Sequence, residues 1–120
     1  MSRQPAGLST HVLDTSRGTP AAGIRIDVHR LDGNGRQLVA TATTNAAGRT
    51  DAPLVGGRLE PGTYELTFGA TDYFRSTGAA ITDPPFLGEV VVRVGIADPT
   101  AHYHVPLLLS PYGYSTYRGS

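Results

Sequence analysis

The sequence predicts an all-β sandwich with one short helix. Three observations support this fold class. Apolar and polar residues alternate over short segments, clusters of Gly, Pro, Asn and Asp separate those segments, and 120 residues suit a single two-layer core. We expect roughly seven or eight strands. One domain should cover residues 8–120, with residues 1–7 as a disordered N-terminal arm.

The strands can be placed in order along the chain. Alternation is clearest where Ile24, Ile26 and Val28 face one way and the polar residues between them face the other. A glycine-rich turn at 32–35 should return the chain into 38–43, the second strand of the same hairpin. The remaining predicted strands span residues 8–14, 63–68, 89–97, 102–109 and 114–118.

One segment, residues 71–77, has a different pattern. It begins with Thr71, a plausible N-cap, lacks the alternation of a strand and stops at Gly78. We therefore predict a helix of about two turns there.

The composition excludes several classes of function. Ten acidic and ten basic residues cancel, so no positive surface is expected for nucleic acid. All ten basic residues are Arg and there is no Cys, which removes Schiff-base and thiolate chemistry. No segment approaches the roughly 20 apolar residues of a membrane span, and residues 1–7 do not resemble a secretory signal, so we expect a cytoplasmic protein without a membrane partner.

Histidine is then the main candidate for acid–base chemistry. His29 shares a strand face with charged residues and is expected to be merely solvated. His11, on the first strand, would be structural if read alone. His102 and His104 are two residues apart on one strand, so both should project from one face. With a third histidine they could hold zinc, but no nearby carboxylate would support the ligands, and we expect no metal.

Arg49 and the C-terminal segment are further candidates. Arg49 follows a turn at 45–48, where its guanidinium could reach a site or could be an ordinary surface group. Residues 112–120 contain three Tyr, two Ser, one Thr and one Arg. Chain ends are usually plain, so this composition indicates either a docked functional segment or a tyrosine-rich edge strand.

Three separated blocks carry a family resemblance. Leu8–Thr15, His102–Pro111 and Tyr114–Ser120 together resemble the 5-hydroxyisourate hydrolases of the transthyretin-related family. The terminal Tyr-Arg-Gly-Ser distinguishes these hydrolases from the hormone-carrying transthyretins. The resemblance implies a transthyretin-like (prealbumin-like) β-sandwich and a hydrolase domain over residues 8–120.

The resemblance also implies an activity and a site. The substrate would be 5-hydroxyisourate, a small polar ring formed in urate degradation, and no cofactor would be needed. The assembly would be a homotetramer, a dimer of dimers. Which histidine acts as the general base is left open. By this resemblance the catalytic residues are His11, Arg49, His104 and Ser120, and the substrate-binding residues are His11, Arg49, Tyr117 and Arg118.

Two departures from the family pattern and two rival functions are relevant. Ala46-Ala47 and Leu87-Gly88 replace more usual residues of the family in two loops. One rival is a ligand-carrying transthyretin, because a fold does not determine a function. The other is a structural prealbumin-like module, since residues 18–68 resemble a generic surface-domain repeat. That second interpretation gives no role to His11, His104 or the C-terminus.

Overall fold

The computed structural model describes residues 4–120 and confirms the predicted all-β sandwich with one helix. No helix within these residues is long and apolar enough to cross a membrane. Of the predicted N-terminal arm, residues 1–3 lie outside the described residues, and the first strand begins at Gly7. The elements are β1 Gly7–Asp14, β2 Thr19–Pro20, β3 Arg25–Asp32, β4 Gly35–Thr43, β5 Val55–Gly56, β6 Gly62–Phe68, α1 Ala70–Thr77, β7 Val90–Ile96, β8 His102–Ser110 and β9 Gly113–Thr116.

The strands form two sheets. The first sheet has the order β2-β1-β8-β9, with β5 also pairing with β1, and the second has the order β4-β3-β6-β7. Every pairing is antiparallel except that of β1 with β8, which is parallel. A parallel pair cannot be closed by a hairpin, so the whole second sheet lies between these two strands in the sequence.

The predicted strands and helix are all present, with ends displaced by a few residues. The two strands that the sequence did not predict, β2 and β5, have two residues each, too few to show a period. The last strand was predicted to reach Arg118 but ends at Thr116. Beyond it, Gly119 forms an isolated bridge with His104.

The alternating residues meet in one core. Ile26 and Val28 of β3 are fully buried, as the pattern predicted, and they face Leu66 and Phe68 of the neighbouring β6 in register. From the first sheet, the inward residues of β1 and β8 complete the core: Leu8, Val12, Tyr103, Val105, Leu107 and Leu109. Since the inward side chains of β1 and β8 are committed to packing, their outward side chains are available for a site.

A buried hydrogen bond joins β1 to the helix. The carboxylate of Asp14, at the end of β1, is fully buried and accepts hydrogen bonds from the Tyr73 hydroxyl at 2.7 Å and from the Ser16 backbone N–H at 3.0 Å. Burial, and then the hydrogen bond to Asp14, raises the pKa of Tyr73. The phenol therefore stays protonated and donates to Asp14 throughout the neutral range.

We predict that Tyr73→Phe lowers the free energy of unfolding by roughly 1–3 kcal/mol, because a buried carboxylate oxygen loses its donor. Tyr112→Phe is the matched control, since Tyr112 is exposed, and its effect should stay within about 0.5 kcal/mol. Urea unfolding followed by circular dichroism measures both. Equal stabilities of the two variants would show that the Asp14–Tyr73 bond does not stabilise the fold.

Candidate active site

The parallel pairing of β1 with β8 builds the outward face of the first sheet. Its register sets Ser9 opposite His104 and His11 opposite Pro106. Ser9, His11, His102 and His104 are all partly buried, whereas the residues between them on each strand are buried in the core. The structure thus confirms that His102 and His104 share one face and adds Ser9 and His11 to it.

The Ser9 hydroxyl lies between two imidazoles. Its Oγ is 2.8 Å from Nε2 of His102 and 2.8 Å from Nδ1 of His104. The other nitrogen of His102, Nδ1, donates to the backbone carbonyl of Pro5 at 3.0 Å. A continuous hydrogen-bonded chain therefore connects the Pro5 carbonyl with His104.

Arg49 is presented by a turn that Asn45 organises. The side-chain oxygen of Asn45 accepts from the backbone N–H of Ala47 at 2.9 Å and of Arg49 at 3.3 Å. Its amide nitrogen donates to Asp51 at 2.9 Å. With the turn fixed, the exposed Arg49 side chain lines a groove that also contains Ser9.

The same turn is fastened to β1 beside His11. The Val12 N–H donates to the Gly48 carbonyl at 2.8 Å. Gly48 has a φ of +74°, and a Cβ there would overlap the Val12 carbonyl oxygen, so only glycine fits. The Ala47 carbonyl accepts a hydrogen bond from Nε2 of His11 at 3.0 Å. The departure at Ala46-Ala47 therefore leaves a loop whose backbone orients His11.

The electrostatics of this face favour a neutral His104. Its pKa is lowered first by burial and then by the positive charge of Arg49, with smaller contributions from His102 and His11. Both causes disfavour the imidazolium form. The structure thus brings His11, Arg49 and His104 together, and it supplies a neutral imidazole that can accept a proton near neutral pH.

Gly119 lies directly against the ring of His104. Its N–H donates to the His104 carbonyl at 2.8 Å, and a Cβ on Gly119 would be 2.7 Å from Cδ2 of the ring. No larger residue fits without displacing that imidazole. The glycine of the terminal Tyr-Arg-Gly-Ser sequence therefore has a steric role at this site.

The other residues of the C-terminal segment line other pockets of the structure. Ser120 is exposed and lines a pocket beside His102. Tyr117 and Arg118 line a different groove, between the edges of the two sheets. There the Arg118 guanidinium stacks 4.2 Å from the ring centre of Tyr103. A single chain does not bring Tyr117 or Arg118 into the groove of Arg49 and Ser9.

His29 is separate from the site. It lies on β3 of the second sheet, is half-buried and accepts a hydrogen bond from Arg36 at 3.1 Å. Within residues 4–120, no three His, Asp or Glu side chains are grouped so that they could hold a metal ion.

Sequence reasoning missed several residues that shape the site. Ser9 could have been found, because it precedes His11 by two residues and so shares its strand face. Asn45 could also have been found, because its side-chain oxygen accepts from backbone N–H groups of its own turn, a local pattern that Asn favours. Ala47 and Gly119 act through backbone contacts with partners on other segments. No local pattern reports such contacts, so these roles were not predictable from the sequence.

The comparisons with known proteins agree with this fold. The model of the HIUase/Transthyretin family matches residues 8–119. A relative named 5-hydroxyisourate hydrolase 2, from Rhizobium meliloti (strain 1021), is 60% identical over 94% of this chain and 95% of its own. The structure of Klebsiella pneumoniae 5-hydroxyisourate hydrolase is 35% identical, with a TM-score of 0.79 over 100% of this chain and 98% of its own.

A larger protein contains the same domain. The crystal structure of (S)-allantoin synthase is 45% identical, with a TM-score of 0.90 over 99% of this chain, but this chain spans only 45% of that one. The match to the family model over almost the whole sequence, at these identities, decides the assignment. The chain belongs to the HIUase/Transthyretin family.

Proposed function

We propose that this chain hydrolyses 5-hydroxyisourate, opening its ring at the N1–C6 bond to give 2-oxo-4-hydroxy-4-carboxy-5-ureidoimidazoline. One observation carries the proposal: His11 and His104 lie on one face of the first sheet, and the guanidinium of Arg49 is near enough to lower the pKa of His104. The names of the relatives support the choice of substrate. The reaction belongs to urate degradation.

Arg49 is proposed to stabilise the charge that forms during attack. Water adds to C6, and negative charge develops on the oxygen that C6 carries. A planar guanidinium offers forked N–H donors both to that oxygen and to the carbonyl edges of the ring. The turn held by Asn45 supports this role, since it fixes the backbone of Arg49 and leaves the side chain exposed.

His104 is proposed as the general base and His11 as the acid. His104 is the histidine that burial and Arg49 hold neutral, so it can take a proton from the attacking water. His11 donates from Nε2 to the Ala47 carbonyl. In the imidazolium form His11 has a second proton on Nδ1, which it could give to the departing N1. A positioned histidine typically contributes about 10²–10⁴-fold.

The proposed mechanism uses no metal. Ser9 engages one ring nitrogen of His102 and one of His104, and Pro5 engages the second nitrogen of His102. These three nitrogens would have to give up their hydrogen bonds to bind a cation, and Nε2 of His104 alone is too few ligands for a metal site. The charge of Arg49 would also oppose a divalent ion at the same place.

The proposal extends to a cytoplasmic homotetramer, a dimer of dimers. Strands β7 and β9 are sheet edges, with Val91, Tyr114 and Tyr117 exposed on or next to them. Edge strands of this kind are templates for pairing with another chain. A second copy beside β9 would also bring Tyr117 and Arg118 near the site of another chain, where we propose that they bind substrate. We also propose Ser120 as a residue of the site.

The direct test follows the ultraviolet absorbance of freshly prepared 5-hydroxyisourate with and without the protein, in the presence and absence of a chelator. We expect catalysed decay at the same rate with and without chelator. Binding without turnover would indicate a carrier and overturn the proposal. Activity that is lost on chelation and restored by Zn²⁺ would overturn its metal-free part.

Arg49→Lys tests the forked contact. We predict a loss of at least roughly a hundredfold in kcat/KM, equivalent to about 2.7 kcal/mol, because an ammonium keeps the charge but cannot donate as a planar fork. Arg75→Lys is the matched control, since Arg75 is an exposed residue of the helix and should leave kcat/KM unchanged. Near wild-type kinetics for Arg49→Lys would remove Arg49 from the site.

The pH dependence tests the neutral His104. A base works only when deprotonated, and the pKa of His104 is lowered from its ordinary 6.5. We therefore predict that kcat/KM stays high as the pH falls to 6.5 and declines only below it. In Arg49→Lys the charge is kept, so the midpoint should not move even though the rate falls. A midpoint above pH 6.5 in the wild type would contradict a neutral base held by burial and Arg49.

A further inference from the structure

We infer that Ser9 and His102 are positioning residues that fix the tautomer of His104, leaving the unprotonated nitrogen, Nε2, free to act as the base. This inference rests on the proposed function for its catalytic consequence. The tautomer itself follows from the hydrogen bonds of the described residues. It assigns a role to Ser9 and to His102, neither of which touches the reacting atoms in the mechanism above.

The hydrogen bonds that link Pro5, His102, Ser9 and His104 have a fixed direction, which the Pro5 carbonyl sets. The Pro5 carbonyl can only accept, so Nδ1 of His102, 3.0 Å away, must donate to it. A neutral imidazole has one N–H, so Nε2 of His102 is then an acceptor. Among the described residues, the proton available to it is that of the Ser9 hydroxyl, 2.8 Å away.

Ser9 in turn determines the direction of the hydrogen bond to His104. Because the Ser9 hydroxyl has given its single proton to His102, its oxygen can only accept from Nδ1 of His104, at 2.8 Å. His104 is thus protonated on Nδ1. Its Nε2 carries the lone pair on the side of the ring away from Ser9.

This series of hydrogen bonds orients His104 and does not transfer protons. Because the Pro5 carbonyl has no proton to donate, no proton can be transferred from Pro5 towards His104. A second contact holds the ring itself, because Gly119 lies against its Cδ2 edge. Together, Ser9 fixes which nitrogen is the base and Gly119 limits where the ring can lie.

The arrangement holds while His102 is neutral. An imidazolium at His102 would donate from both nitrogens, reverse the Ser9 hydroxyl and move the His104 proton to Nε2. Within residues 4–120, the charged or titratable groups that act on His104 are Arg49, His102 and His11. Asp98 and the terminal Ser120 line the pocket beside His102.

Ser9→Ala is the central variant, because it removes the acceptor of the His104 Nδ1 proton without adding volume. Ser9→Thr keeps the hydroxyl and should rescue the tautomer. Ser115→Ala is the matched control, an exposed serine on β9 of the same sheet. Circular dichroism and sizing chromatography show whether each variant keeps the native fold and assembly.

The first readout is the pair of ¹⁵N shifts of the His104 imidazole, measured by long-range ¹H–¹⁵N correlation on the whole protein at a pH where His104 is neutral. We expect a protonated Nδ1 in the wild type, in Ser9→Thr and in Ser115→Ala, and a shift toward a protonated Nε2 in Ser9→Ala. An unchanged Nδ1-protonated ring in Ser9→Ala would overturn the inference. So would a protonated Nε2 in the wild type.

The second readout is the hydrolysis of 5-hydroxyisourate. In Ser9→Ala we expect kcat to fall roughly tenfold or more while KM changes little, because the substrate contacts are intact and the base is not. Ser9→Thr should recover most of the rate. A Ser9→Ala enzyme with altered tautomer and full kcat would overturn the positioning role. The NMR readout needs no substrate, so a wild type without hydrolase activity would defeat the proposed function and leave the tautomer assignment to be judged by its own result.

Discussion

The site depends on the parallel pairing of β1 with β8. This pairing runs from Gly7 opposite His102 to Asp14 opposite Leu109, and it joins segments more than 90 residues apart in the sequence. It buries one face of both strands in the core and aligns Ser9 with His104 on the other. A slip of one residue would turn the histidines of one strand into the core, so the apolar packing that stabilises the sandwich also specifies the register of the site.

The remaining parts of the site are attached to this pair by backbone contacts. The turn of Asn45 is bonded to β1 through Gly48, which places Arg49 beside the histidines. The chain end returns along β8 and places Gly119 on His104. Because these contacts involve carbonyls, N–H groups and glycines, they add no competing acid or base. The arrangement places a cation near an imidazole whose pKa it lowers.

Much of the fold was predictable, because alternation is a local signal. The faces of Ile26 and Val28, and the end of the helix at Gly78, followed from the sequence directly. The two-residue strands β2 and β5 could not be predicted, since a strand of two residues is too short to show an alternation of apolar and polar residues. The family resemblance identified His11, Arg49 and His104, and the structure brings them together. The hydrogen bonds of Ser9 were beyond sequence reasoning because they require the register of two distant strands.

His11 on β1 and His104 on β8 are proposed to perform the chemistry, and histidine variants test this central claim most directly. His11→Ala, His104→Ala and His29→Ala should be compared by the initial rate of 5-hydroxyisourate decay, with sizing chromatography on each sample. The account predicts that the first two lose most of their activity while keeping the wild-type assembly, and that His29→Ala, on the second sheet, stays close to wild type. Full activity of His104→Ala, or an inactive His29→Ala with native assembly, would contradict it.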